Sequence, residues 1–262
     1  MIGAIIGDIV GSPYEFHNTQ DYDFPWLSPG STFTDDTICT IAIADAINRR
    51  ITRNDGDPCY MANLLRWCRK YPNPKGGYGG RFAQWIQSEH PEPYNSFGNG
   101  SAMRVSPIAW AFDDLSQVLQ EAEKTAMITH NHPEGVKGAV CVAHMIWAGR
   151  HGMRGSELME ISQRYYPGWE LKAPEIGKFD ETCQGTLPVC FWVLFYADSF
   201  EDAIRRAIAI GGDSDTIGAI VGAMAEAIWD IPEKIWLSTL SRLPRDMRNV
   251  IERFYENVLP DK

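Results

Sequence analysis

Two apolar decapeptides near opposite ends of the chain carry glycine at four-residue spacing: IGAIIGDIVG (2–11), with Gly3 and Gly7, and IGAIVGAMAE (217–226), with Gly218 and Gly222. Residues four apart share one face of a helix, so each segment presents a stripe stripped of side chains. Glycine costs a helix up to about 1 kcal/mol relative to alanine. Four glycines in apolar helices therefore predict close backbone approach and tight packing. The same spacing marks membrane helix dimers, but Asp8 and Glu226 interrupt these segments, and no apolar run is long enough for a span. The opening MIGAIIGDIVG lacks a basic leader and reads as a buried helix rather than a signal peptide.

The helical period dominates the rest. Thr34 is placed to cap a helix that runs through ICTIAIADAINRR. Residues 57–71 form an amphipathic segment stopped by Pro72 and Pro74, and helices are expected at about 115–129, 133–149, 156–166, 184–197, 199–210 and 216–229. No alternating stretch reaches strand length; VLFYA (193–197) comes nearest, and its neighbours favour a helix. Pro/Gly-rich breaks at 23–31, 72–80, 91–100, 149–155 and 167–178 are spaced as loops within one body. The expected fold is all-α, a compact single-domain helical orthogonal bundle spanning residues 1–262.

The net charge of −10 argues against a nucleic-acid partner or an anionic membrane, both of which reward a basic surface. The six cysteines form no CxxC pair and read as buried, reduced thiols, which suits a cytoplasmic protein.

Three segments concentrate carboxylates: GDIVGSPYEF (Asp8, Glu15), STFTDDT (Thr34, Asp35, Asp36) and GGDSDTIG (Asp213, Asp215, Thr216). Aspartate at a helix start is an ordinary cap, favoured by the dipole. Against that reading, each group adjoins an apolar helix, and burying unpaired carboxylates is expensive. Asp213 and Asp215 cannot share a helical face, but on a loop turning into a helix both can converge on a cation. Oxygen ligands without clustered Cys or His suit Mg²⁺, Mn²⁺ or Ca²⁺. Five acids and two threonines suffice for two ions that fix a substrate and activate water.

These segments also resemble a known family. GDIVGSPYE (7–15), FTDDT (33–37), GNGSAMRVSPIA (98–109), THNHPEGVKGA (129–139) and GGDSDTIGAIVGA (211–223) are similar, in order and spacing, to the motifs of ADP-ribosylglycohydrolases, a group that includes the bacterial enzyme reactivating ADP-ribosylated dinitrogenase reductase. The resemblance implies a compact all-α hydrolase with a dinuclear Mg²⁺ or Mn²⁺ centre that cleaves the glycosidic bond between ADP-ribose and a modified group. It places the metal ligands on Thr34, Asp35, Asp36, Asp213, Asp215 and Thr216, and sets Glu15, the acidic residue of the first motif, beside the metals and the scissile bond as catalytic base or as a further ligand. It assigns Asn99, Gly100, Ser101 and Met103 to the ribose and diphosphate, and His130 to the nucleotide. The stretch from Cys59 to Glu92 matches no particular subfamily, so the leaving group stays open among arginine, serine and other acceptors. A monomer is expected.

Other segments carry two readings each. Tyr78, Gly79, Gly80, Arg81 and Phe82 form either a lid over a nucleotide or a surface loop whose arginine faces water. His130 and His132 either cap the helix beginning at Pro133 or contact the ADP portion. Phe179, Asp180 and Glu181 lie in a stretch of poor periodicity (168–185), either bordering the site or connecting helices around a buried Trp169. The alternative function class is a protein that binds ADP-ribose or another nucleotide without turning it over; retention of Glu15 beside a full set of metal-ligand types argues for catalysis.

Overall fold

The computed structural model describes residues 1–53 and 59–259. The chain folds into fourteen α-helices and one short 3-10 helix (Trp169–Leu171) among these residues: α1 (Ile2–Gly11), α2 (Asp35–Arg53), α3 (Tyr60–Lys70), α4 (Gly80–Gln87), α5 (Gly100–Met103), α6 (Ser106–Ala111), α7 (Leu115–Met127), α8 (Pro133–Arg150), α9 (Ser156–Tyr165), α10 (Cys183–Phe195), α11 (Phe200–Ala209), α12 (Ser214–Ala225), α13 (Glu233–Leu240) and α14 (Arg245–Val258). The only β feature described is one antiparallel bridge between Gly98 and Thr182. The all-α expectation holds, and the helices form one compact bundle.

The nine segments expected as helices, the opening one included, are all helical, with shifted ends. The helix expected from 57 begins at Tyr60, and positions 57–58 lie outside the described residues. The segment expected from 216 begins at Ser214, which puts Asp215 and Thr216 in the first turn. Helices α4, α5, α6, α13 and α14 were not among those expected. In α14 the period is plain, with Met247, Val250, Ile251 and Phe254 buried at helical spacing. Helix α5, only four residues long, carries too short a pattern to be read. No described helix is long and apolar enough to cross a membrane. Five cysteines are buried as expected, while Cys59 is exposed.

Helices α1 and α12 form the centre, and every residue of both is buried. They pack along their length through the glycine stripes. A β-carbon at Gly218 would stand 2.6 Å from the Gly7 carbonyl oxygen, and ones at Gly3 and Gly7 would collide with the Gly222 and Gly218 carbonyls. The contact therefore joins backbone to backbone, with no room for even one β-carbon at these positions. Helices α10 and α11 pack on α12, and α2 packs on α1. Glu226, just past α12, closes the far end by accepting the Gly3 N–H at 2.8 Å and the Tyr255 hydroxyl at 2.6 Å.

Asp8, fully buried on α1, is bound differently from the other acids. Its Oδ1 accepts the Thr34 hydroxyl at 2.7 Å, and its Oδ2 accepts the Thr34 N–H at 3.0 Å, the Thr37 N–H at 3.1 Å and the Thr37 hydroxyl. The first-turn amides of a helix have no partner within it, so one helix caps another here. Thr34 performs part of the capping expected of it, accepting the Asp36 N–H at 3.3 Å while donating its own proton to Asp8.

Two stability predictions follow from these contacts. Gly7→Ala should lower the free energy of unfolding by about 1–3 kcal/mol, because overpacking outweighs the gain in helix propensity of about 1 kcal/mol. Urea denaturation followed by circular dichroism measures it, and an unchanged or raised midpoint would contradict the backbone contact. Asp8→Ala should cost at least about 3 kcal/mol in the same assay, since each buried donor left unpaired costs about 1–3 kcal/mol. A loss under about 1 kcal/mol would show that α2 is capped by something else.

Candidate active site

The glycine contact determines where the acids meet. A β-carbon at Gly11, the last residue of α1, would lie 2.6 Å from the Asp215 Cα, so the C-terminus of α1 abuts the N-terminus of α12. Glu15 follows four residues later. The chain enters α12 through Gly211 and Gly212, with φ of +74° and +85°, a region that favours glycine. Asn18 joins the two loops: its Oδ1 accepts the Gly212 N–H at 2.8 Å, and its Nδ2 donates to the Gly212 carbonyl at 2.9 Å and the Tyr14 carbonyl at 2.7 Å. Sequence reasoning passed over Asn18, because nothing local signals a contact 194 residues away.

The outcome is a cluster of Glu15, Asp213 and Asp215 with carboxylate oxygens within 4.8 Å of one another, the one such group of three among the described residues. Asp35 and Asp36, from the first turn of α2, line the same cavity, as does Thr216. The Thr216 hydroxyl donates to Asp36 Oδ2 at 3.2 Å and so ties α12 to α2. The expectation of a dinuclear centre is modified here. The described residues form a single three-acid group, and Glu15 is part of it, because the Asn18 staple draws the loop after α1 onto α12. Thr34 stands behind the cavity wall, its proton committed to Asp8.

Burial is the largest cause raising the pKa of all five acids. Glu15 is pushed up to about 7 by burial and then by the charges of Asp213 and Asp8, with Lys75 opposing. Asp213 reaches about 6, restrained by the Asn99 amide, which donates to its Oδ2 at 2.7 Å. Asp35, Asp36 and Asp215 are raised well above the carboxylate range by burial and by repulsion from neighbouring aspartates. Asp36 Oδ1 and Asp215 Oδ1 are buried without a hydrogen-bond partner. Unpartnered, mutually repelling carboxylate oxygens are expensive to bury. The donor set, all oxygen, fits a hard divalent cation.

The cavity, of about 410 Å³, extends from this acidic end to a wall built by the turn at Gly98–Gly100 together with Met103, Arg104 and His130. Asn99 bridges the two ends, donating to Asp213 and, at 3.1 Å, to the Thr186 hydroxyl. His130 is 5% exposed, and its Nδ1 is 2.7 Å from the Thr129 hydroxyl. Burial, and then the Arg104 charge, hold its pKa well below the usual imidazole value, so the ring is neutral near pH 7. Its Nε2 side faces Gly100, where a β-carbon would stand 3.2 Å away. Arg104 is buried, donates to the Thr125 carbonyl at 2.9 Å and the Thr129 hydroxyl at 2.8 Å, and leaves Nε without a partner.

The remaining candidates from the sequence divide between the cavity lining and the structure behind it. Ser101 does not line the cavity; its hydroxyl donates to the Gly135 carbonyl at 2.7 Å. His132 caps α8, its Nδ1 accepting the Glu134 N–H at 3.1 Å. Tyr78, Gly79, Gly80, Arg81 and Phe82 line the cavity; residues 80–82 open helix α4, and Arg81 lies 4.9 Å over the Tyr94 ring. Glu181 lines the cavity, whereas Asp180 helps start α10 by accepting the Thr182 N–H at 2.9 Å. Phe179 stacks on exposed Phe16 with ring centroids 6.3 Å apart, and Trp169 is buried against Phe195.

With this geometry in view, the likeness to known proteins takes on structural meaning. Residues 1–261 match the family described as ADP-ribosylglycohydrolase. The chain is 29% identical, over 96% of its length, to the ADP-ribosyl-(dinitrogen reductase) glycohydrolase of Rhodospirillum rubrum, covering 92% of that protein. It is 25% identical, over 97% of its length, to an ADP-ribosylarginine hydrolase of Serratia proteamaculans, covering 77% of it. A solved structure titled as an ADP-ribosylglycohydrolase-related protein complex superposes with a TM-score of 0.76 at 25% identity, covering 98% of this chain and 96% of the other. A match over nearly the whole chain, on a shared helical architecture, shows that this protein belongs to the ADP-ribosylglycohydrolase family.

Proposed function

We propose that this protein hydrolyses the glycosidic bond joining ADP-ribose to a modified group, such as an arginine or serine side chain, with the help of two divalent cations, Mg²⁺ or Mn²⁺. The observation that carries the reading is the convergence of five buried or half-buried acids on one cavity, two of them with unpartnered oxygens. Family membership supports the substrate class, and the names of the two relatives above point to ADP-ribosylated protein. In this reading Asp35, Asp36, Asp213, Asp215 and Thr216 would hold the ions, and the Glu15 carboxylate, grouped with Asp213 and Asp215, would add to their hold. Thr34 would join them through the oxygen of the hydroxyl that donates its hydrogen bond to Asp8. When bound, the ions supply positive charge that offsets the acids and a Lewis acid for sugar and water oxygens.

The chain's own groups do the rest. Glycoside cleavage passes through an oxocarbenium-like state, which a nearby carboxylate stabilises while it orients the attacking water and takes its proton. Glu15 has this part; it sits at the acidic end of the cavity, half-buried, on the loop that Asn18 fixes. Asn99 holds the Asp213 carboxylate in one orientation. Gly98, Asn99, Gly100 and Met103 form the wall for the ribose and diphosphate, and Ser101 supports it by tying this turn to α8. His130, neutral and buried, has its Nδ1 engaged by Thr129 and offers its Nε2 side to the nucleotide without a permanent charge.

Two variants test the assignment. Asp215→Asn should lose most of its Mn²⁺ affinity by calorimetry and nearly all turnover, while keeping the helical circular dichroism signal. Glu15→Gln should reduce turnover by at least about 10²-fold, with ADP-ribose binding retained. Wild-type protein that releases no ADP-ribose from arginine- or serine-linked substrates, with Mg²⁺ or Mn²⁺ present, would sink the hydrolase reading in favour of simple binding.

A further inference from the structure

The loop between α3 and α4 contains adjacent glycines, both in the left-handed region, with φ of +78° at Gly76 and +86° at Gly77. Their surroundings differ. A β-carbon at Gly77 would meet nothing within 4 Å, whereas one at Gly76 would stand 2.5 Å from Glu15 Oε2 and 3.1 Å from Oε1. Gly76 is thus a backbone stop against the Glu15 carboxylate, which is grouped with Asp213 and Asp215 and also feels the charges of Lys75 and Glu181.

The loop is fastened on both sides of this stop. Lys75 Nζ donates to the Gly30 carbonyl at 2.8 Å, and the Gly77 N–H closes a turn on the Pro74 carbonyl at 3.1 Å. The Tyr78 hydroxyl lies 2.7 Å from the Tyr71 carbonyl and 3.3 Å from that of Cys68. When a group is forced between an anchored backbone and the end of a long side chain, the side chain yields at lower cost. A methyl group at Gly76 therefore displaces the Glu15 carboxylate and leaves the loop where it is.

We infer that Gly76 is a positioning residue for the reaction: lacking a side chain, it lets the anchored loop confine the Glu15 carboxylate beside Asp213 and Asp215. The inference rests on the role given to Glu15 above. It assigns Gly76 a requirement distinct from its backbone conformation, because Gly77 has the same conformation and no such neighbour.

Gly76→Ala and Gly77→Ala separate the two requirements. Both place alanine at positive φ, so both should lower Tm by a similar amount. Gly76→Ala should also reduce kcat at least about tenfold, as misplacement of a reacting group does, with KM within about twofold of wild type. Its Mn²⁺ affinity by calorimetry should fall by about tenfold, the size of effect seen when support of a ligand is lost. Gly77→Ala should stay within about twofold in kcat and Mn²⁺ affinity. In a Glu15→Ala background the added methyl has nothing to displace, so Gly76→Ala should cause no further loss of Mn²⁺ affinity. Equal effects of the two glycine variants, an inert Gly76→Ala, or additive losses in the Glu15→Ala background would each overturn the inference. Full turnover by Glu15→Ala would instead overturn the role of Glu15, a result read from that single variant alone.

Discussion

The backbone contact between α1 and α12 is the constraint on which the rest of the structure depends. Because Gly3 and Gly7 face Gly222 and Gly218 with no side chain between them, the two helices approach until carbonyls block any further advance. The C-terminus of one then abuts the N-terminus of the other at Gly11 and Asp215. Both loops that carry acids, the one holding Glu15 and the one holding Asp213, leave from that junction. A separation larger by the width of a methyl group would move the two loops apart and break the Asn18 bonds that span them. Glycine's cost in helix propensity is offset here by close packing along two fully buried helices.

Buried carboxylates meet two different fates within a few residues of one another. Asp8 receives four hydrogen bonds from Thr34 and Thr37 and is consumed in fixing α2 against α1. The five acids around the cavity are supplied poorly, with Asn99 and Thr216 as partners and two oxygens left without any. The first arrangement satisfies its charge within the chain and reads as architecture. The second leaves a demand for positive charge that Lys75 meets only in part, which is the physical basis for assigning cations to it. The two are coupled: by capping α2, Asp8 determines where Asp35 and Asp36 enter the cavity.

The opposite wall has the reverse character. Arg104 is a buried cation bonded to neutral oxygens, and beside it His130 is held neutral by burial and by that charge. The cavity thus has an acidic end and an end that bears positive charge. Asn99 lies between them and touches the acidic side directly through Asp213. Under the proposed reading this polarity orients a ligand with phosphates at one end and a glycosidic carbon at the other.

Much of this was legible in the sequence, for reasons of range. Helical period is local, so the nine segments expected as helices appear as helices. The glycine stripes announced close packing, and the motifs resembling a known family marked most of the residues that line the cavity. What the sequence left open were the partners. Asp8 and Glu15 stand in one motif and look alike as residues, yet Asp8 became a cap and Glu15 a cavity acid because different helices cover them. His130 and His132 differ by two positions, and helix α8 captured one as its cap while the other turned toward Gly100. Asn18 and Gly76 carried no local signal at all. Sequence by itself determined which segments are helical and which residue types can do chemistry, since both follow from neighbours along the chain. The tertiary structure alone decided which acids share a charge environment, because repulsion and burial depend on distances across the fold that no sequence spacing encodes.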